Sequence, residues 1–365
     1  MNCAYFGICG SCTLYPEYQR QLEIKVEKFS SLFAKKPQVF PSPQSHFRAR
    51  GEFGIWHQEG GLSYTMYGMR GGKVAIQECP IMLQPIFTAM PKLMGYLQKD
   101  RLLLEKLFRI DFLSGLSGET LATLVYHKKL DEKWVKSAKE LHQELGLHII
   151  GRSRGQKIAF GQEYITEQLL IGDRAYRYRH YEGSFTQPNP YVNIKMIQWV
   201  LEQSKDFGGD LLELYCGAGN FTLPLAQNFG KVLATEVSKS SIKAAKENRA
   251  MNGIKNIEFV RLSAEEVAKA LRGERAFRRL ADIDLKAYDF RTVFVDPPRC
   301  GLDSATRGVV KEFENIVYIS CNLDTLKRDV EALEDTHEIV DLAIFDQFPY
   351  TRHLESGVVL KKIKR

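Results

Sequence analysis

Cys321 is the residue best placed to do chemistry: it follows the apolar run Ile316-Val-Tyr-Ile-Ser320 and precedes Asn322. Such a run reads as a buried strand, whose end delivers a thiol to the edge of a sheet. As its anion the thiol could form a covalent intermediate. A lone cysteine is also readable as a small buried hydrophobe, and its company decides between the two. One strand earlier, Thr292-Val-Phe-Val295 ends in Asp296-Pro297-Pro298-Arg299. Prolines cannot donate to a ladder, so the chain must leave the sheet there, holding an acid and an arginine at the same edge. Earlier still, Leu211–Tyr215 runs into Cys216-Gly217-Ala218-Gly219-Asn220, a turn whose glycines let backbone N–H groups approach a ligand. Thr222 stands where a dinucleotide fingerprint would carry its third glycine, which weakens a pyrophosphate reading. Glu236 ends the next strand, placed to accept both hydroxyls of a ribose or, more plainly, to cap the helix that starts near Ser238. A ribose without a phosphate fits S-adenosylmethionine.

That methyl donor defines a task for the thiol. C5 of uracil is a poor nucleophile towards a methyl sulfonium, and a positioned base alone does not make it a good one. A thiolate adding to C6 turns C5 into an enolate carbon, which attacks the methyl group; the C5 proton must then leave before the thiolate can depart. A free thiol titrates near roughly 8.5, so Cys321 needs a site that favours its anion or takes its proton.

These edges need a scaffold. After Gln187-Pro-Asn-Pro190, strand-like runs ending with Glu338–Phe345 and Gly357–Leu360 alternate with helical stretches such as Lys239–Met251 and Thr325–Leu333. The rhythm predicts βα units throughout, an α/β fold with a doubly wound, Rossmann-like parallel sheet whose ligands sit at the strands' carboxyl ends. The block before it mixes β-rich pieces (Phe53–Trp56, Leu121–Tyr126, His148–Arg152) with helical ones (Glu132–Leu145), an α+β pattern; His57-Gln-Glu-Gly-Gly61 marks a turn inside it. Apolar residues from Leu22 to Phe33 fall at helical spacing. The expected division is a cysteine-containing arm and helix at 1–40, an α+β domain at 41–178, which the resemblance described below implies binds RNA, and a Rossmann-like catalytic domain at 179–365.

Four stretches carry a resemblance to a known family: Asp210-Leu-Leu-Glu-Leu-Tyr-Cys-Gly-Ala-Gly-Asn220, Phe294-Val-Asp-Pro-Pro-Arg299, Tyr318-Ile-Ser-Cys-Asn322 and Phe345-Asp-Gln-Phe-Pro-Tyr-Thr-Arg-His-Leu-Glu355. They resemble the bacterial tRNA (uracil-5-)-methyltransferases, and the likeness extends through Ser45–Phe53, Tyr126–Leu130 and Ser184–Asn189. The resemblance implies S-adenosylmethionine-dependent methylation of U54 in the T loop of tRNA, and of the matching uridine in tmRNA. It implies Cys321 as nucleophile, Glu355 as acceptor of the C5 proton, and Gln187, Tyr215, Asn220, Glu236 and Asp296 around the methyl donor. It also implies an RNA grip in the middle domain, which suits Arg48, Arg50, His127, Lys128 and Lys129, and extrusion of the target base.

Cys3, Cys9 and Cys12, with Cys79 as a fourth, offer ligands for a [4Fe–4S] cluster or zinc, or bind no metal. The pattern resembles the ribosomal RNA uracil-C5 methyltransferases, so 23S ribosomal RNA is the alternative substrate. A non-catalytic RNA-binding or RNA-remodelling protein on the same scaffold is the other reading. The balance of 51 Lys and Arg against 44 Asp and Glu gives a net charge of +7, which suits a polyanionic partner. With no apolar stretch of membrane length and no secretory signal, the expectation is a cytoplasmic monomer with no membrane or DNA partner, its seven cysteines reduced.

Overall fold

The computed structural model describes residues 2–58 and 61–363; Glu59 and Gly60 of the expected turn lie outside them. After the cysteine arm come α1 (Tyr18–Leu32) and β1 (Gln38–Phe40). A seven-stranded sheet follows, built from β2 (Arg50–Gln58), β3 (Gly61–Tyr67), β4 (Lys73–Ile76), β5 (Leu107–Ser114), β6 (Thr120–Tyr126), β7 (His148–Ser153) and β8 (Gln156–Phe160). Its spatial order is β4-β3-β2-β5-β6-β7-β8, and α2 (Gln84–Leu97), α3 (Arg101–Leu104) and α4 (Glu132–Leu145) complete the unit. Every pairing is antiparallel except β6 with β7, where α4 makes the crossover that a parallel pair requires. The sequence of α4 explains its limits. Asp131 accepts the Trp134 N–H at the start, and Gly146 closes the end with φ 66°. Trp134, Ala138 and Leu141 form its buried stripe.

A hairpin, β9 (Tyr164–Ile171) with β10 (Arg174–Tyr181), leads through Gln187-Pro-Asn to α5 (Pro190–Ser204). The second sheet contains β11 (Asp210–Leu214), β12 (Val232–Thr235), β13 (Ile257–Val260), β14 (Phe290–Val295), β15 (Asn315–Ser320), β16 (His337–Phe345) and β17 (Glu355–Lys362). Between them lie α6 (Thr222–Leu225), α7 (Lys239–Met251), α8 (Ala264–Leu271), α9 (Ser304–Val310) and α10 (Leu323–Glu331). The order β1-β16-β17-β15-β14-β11-β12-β13 puts the switch point between β11 and β14, because the chain winds outward from β11 to β13 before returning to β14.

The Rossmann-like expectation holds, with a difference at one end. β17 runs antiparallel to both β15 and β16, so the sheet is mixed. No helix lies between β16 and β17, and without a crossover the returning strand can only pair antiparallel. At the edge, β1 pairs parallel with β16, drawing residues 38–40 into this sheet. The hairpin contributes Leu169, Ile171, Tyr176 and Tyr178 to the core beneath it, and the expected division at 178/179 falls inside β10. Helix α1 bridges the two units, with Tyr18 and Leu22 in the core of the seven-stranded sheet and Phe29 and Phe33 in that of the eight-stranded one.

Candidate active site

Four strands of the larger sheet deliver polar residues to one edge. Tyr215 follows β11, Glu236 follows β12, Asp296 follows β14 and Cys321 follows β15. Because β17 is antiparallel, its first residue, Glu355, lies at that same edge, paired with Phe345 at the end of β16. Ser356 stands opposite Ser320, so the carboxyl of Glu355 and the thiol of Cys321 are set side by side by strand register.

Cys321 occupies the turn from β15 into α10, whose N-cap is Asn322. The Asn322 side chain accepts the Asp324 N–H and donates to the Arg299 carbonyl at 3.0 Å; Thr325 bonds the same carbonyl at 3.2 Å. The turn bearing Cys321 and the Asp-Pro-Pro-Arg loop are thus one piece. Burial pushes the Cys321 thiol up to about 11, and the charges of Glu355 and Asp296 add to that while Arg299 opposes it. Glu355, 3 % exposed, is raised well above the usual carboxylate range by burial and by Asp296. Burial raises Asp296 to about 7. The site therefore sets a thiol beside two carboxyl groups of raised basicity, an arrangement in which a carboxylate can take up a thiol proton. A cavity of about 260 Å³ opens at Cys321, lined also by Lys28, Arg299, Asn322, Arg352 and His353.

The glycine turn is held from below. Tyr215 (φ 64°) and Gly219 (φ 86°) adopt left-handed conformations, and a Cβ at Gly219 would come within 3.3 Å of Phe259. Glu236 accepts the Gly217 N–H at 3.2 Å and the Ser238 N–H at 2.8 Å, so it fastens the turn and the start of α7. Each carboxylate oxygen keeps a free lone pair for a ribose hydroxyl. Tyr215 sits against Thr306 at the start of α9, its hydroxyl pushed to about 12 by burial. Asn220 exchanges two amide hydrogen bonds with Asn193 of α5, at 2.8 and 2.9 Å. Gln187 accepts a bond from Gln347 at 2.8 Å. Gln187 and Asn220 share a cavity of about 10 Å³ with Asn193, Glu167 and His180, room for about one water.

A model of the tRNA (Uracil-5-)-methyltransferase family matches residues 17–363. The chain belongs to that family. A tRNA/tmRNA (uracil-C(5))-methyltransferase from Nitratiruptor sp. is 59% identical over 364 residues, covering 99% of this chain and 100% of the relative. One of the same name from Acinetobacter baumannii (strain AYE) is 49% identical over 357 residues, covering 95% and 99%. Among solved structures, the Pyrococcus abyssi tRNA (uracil-54, C5)-methyltransferase in complex with S-adenosyl-L-homocysteine superposes with a TM-score of 0.73. Its identity is 23%, and the match covers 94% of this chain and 83% of that one. This supports the same architecture.

For a member of the tRNA (uracil-5-)-methyltransferase family, several supporting residues had weak signals or none. Glu213 is an acid in the otherwise apolar run Leu211-Leu-Glu-Leu214, a visible anomaly; it is 1 % exposed and burial raises it to about 8, with Asp296 adding to the shift. Asn193 gave no sign from spacing. Lys25 reads as a solvated charge in α1, yet it is buried against Asp346 at 2.5 Å and donates to the Phe348 carbonyl at 2.9 Å. Gln21 bonds Asp346 and accepts the Tyr350 N–H, so α1 grips the segment leading to Glu355.

Cys3, Cys9 and Cys12 of the opening arm lie near Cys79, which follows β4. Burial is the main cause raising Cys12 and Cys79, each to about 12, and the other thiols of the group raise both further. Arg48 faces Cys12 and Cys79 and partly offsets their charge. As placed, no three or more His, Cys, Asp or Glu side chains among the described residues are disposed to hold a metal ion. The donor type suits a thiolate-bound metal; the disposition does not show one.

Proposed function

We propose that this protein methylates C5 of a uridine in tRNA, U54 of the T loop, and the corresponding uridine of tmRNA. The observation that carries the reading is the meeting of Cys321 and Glu355 at the edge that bears the glycine turn. S-adenosylmethionine supplies the methyl group; Gln187, Tyr215, Asn220, Glu236 and Asp296 would hold it. Cys321 adds to C6 as its proton passes to a neighbouring carboxylate, C5 takes the methyl group, and deprotonated Glu355 removes the C5 proton so that the thiolate departs. Relatives named tRNA/tmRNA (uracil-C(5))-methyltransferase along the whole chain support tRNA over ribosomal RNA.

The seven-stranded unit is the proposed RNA grip. His127, Lys128 and Lys129 line an open cavity of about 770 Å³ with Phe108, Arg152 and Arg154, and the Phe108 and His127 rings stack at 3.8 Å. Arg50 donates to the Ser184 carbonyl, and Arg48 donates to the Arg50 carbonyl and lies near Cys12 and Cys79. Among the described residues no helix is long and apolar enough to cross a membrane. For the four cysteines a thiolate metal site is proposed on donor type and proximity alone, and no catalytic step runs through it. Iron, sulfide and zinc analysis of anaerobically purified protein tests it; metal-free protein removes it.

The deciding experiment offers the protein tRNA, or ribosomal RNA, containing 5-fluorouridine together with the methyl donor. Fluorine cannot leave C5 as a proton does, so a denaturation-resistant adduct should form with tRNA and disappear in Cys321→Ala. Adduct with ribosomal RNA alone would reassign the substrate; none with either would leave a non-catalytic RNA-binding role.

A further inference from the structure

The mouth of the Cys321 cavity carries positive charge that the protein does not neutralise. Lys28 of α1, Arg299 and Arg352 line it together with one acid, Asp324. Among the described residues none of the three cationic side chains takes part in an ion pair or hydrogen bond. Elsewhere, surface lysines find acids: Lys327 meets Glu331 at 3.2 Å and Lys311 meets Asp335 at 2.8 Å. Arg299 has inward duties, since its charge lowers both Cys321 and Glu355. Lys28 and Arg352 have no such duty. They come from separate elements, and α1 is fixed against the loop bearing Arg352 by the buried Lys25–Asp346 pair, so the two cations are held over one opening.

We propose that Lys28 and Arg352 clamp the phosphodiesters flanking the extruded uridine. The inference rests on the methylation reading and extends it to the substrate's backbone. A base reaching Cys321 must leave its stack, and its ribose and phosphates then stay at the rim. Cations at that rim neutralise phosphate charge that would otherwise approach the carboxyl groups of Asp296 and Glu355. They fix the nucleotide's register without reading its base.

The test uses a T-arm RNA hairpin in three forms: unmodified, and with a neutral methylphosphonate replacing the phosphate on the 5′ or the 3′ side of the target uridine. Affinities are measured for wild-type protein, Lys28→Gln, Arg352→Gln, the charge-conserving Lys28→Arg and Arg352→Lys, and Lys286→Gln as control. Lys286 lies near Asp289, whose carbonyl bonds the first residue of β11 at the opposite edge of the sheet. At least one methylphosphonate should weaken wild-type binding about tenfold, and should cost nothing further in the variant lacking the matching cation. The salt slope should fall by about 0.7 for each cation removed. The charge-conserving variants and Lys286→Gln should behave as wild type. Methylphosphonate penalties that are absent from wild-type protein, or undiminished in both glutamine variants, would overturn the clamp. Wild-type turnover of the unmodified hairpin, measured alongside, separates that failure from failure of the methylation reading itself.

Discussion

At the scale of single residues, Cys321 and Glu355 share one buried, acid-rich setting that disfavours the charged form of each. Burial and the charge of Asp296 raise both, Glu355 raises Cys321 further, and in the proposed cycle each must give up a proton. Their working forms are the deprotonated ones. The rate of RNA methylation should therefore rise with pH between about 6 and 9. Glu355→Gln keeps the shape of the side chain but cannot accept the C5 proton. We expect it to add to RNA and transfer the methyl group, then stall, so a covalent complex with ordinary, unfluorinated RNA accumulates on denaturing gels while turnover falls about 10²- to 10⁴-fold. Failure to form that complex, with RNA binding intact, would assign proton removal elsewhere. Cys321 was legible in the sequence because a thiol ending an apolar strand is a local pattern. Glu355 was not legible by local pattern, and only family resemblance pointed to it; its place depends on the direction of β17, a property of the sheet.

At the scale of elements, the decisive piece is α1. Its helical spacing could be read, but its most consequential side chains could not, since Gln21 and Lys25 look like solvent-facing residues until Asp346, more than three hundred positions later, arrives beside them. No helical run is expected between β16 and β17, but the rhythm reads as a parallel sheet throughout, so the antiparallel return that brings Glu355 to the edge was not legible in the sequence. The contribution of β1 to the sheet was not visible, because three residues carry too little pattern. Removing one partner of a buried ion pair strands the other charge in the interior. Lys25→Ala should lower stability in urea unfolding by about 3–5 kcal/mol, and pairing Lys25→Met with Asp346→Leu should recover much of that loss. If Lys25→Ala were as stable as wild type, the pair would not be holding α1 to the catalytic segment.

At the scale of the whole molecule, two cores are joined by α1, by the β9–β10 hairpin and by polar groups buried between them. Buried ionisable groups, one bridging the units and others within them, tie stability to pH. Glu167 on β9 takes the Leu116 N–H from the seven-stranded unit and is raised to about 7 by burial; Glu213 under the glycine turn is raised to about 8. An acid with a raised pKa binds its proton more tightly in the folded state. Its contribution is fully present below the ordinary carboxylate range and is lost progressively as pH climbs to the folded value, by up to about 1.4 kcal/mol per pH unit for each group. Buried His180, lowered to about 4, acts in the opposite sense and loses stability as pH falls below its ordinary range. Stability should peak at mildly acidic pH and decline from about pH 6 to 8. Glu213→Gln removes one ionisation without removing the side chain's bulk, so its melting temperature should fall less than wild type's over that interval. The two curves should converge, and the variant can become the more stable protein at pH 8. Parallel curves would mean that Glu213 is already ionised in the folded protein, and the decline would then rest on Glu167 and the carboxyl groups around Cys321.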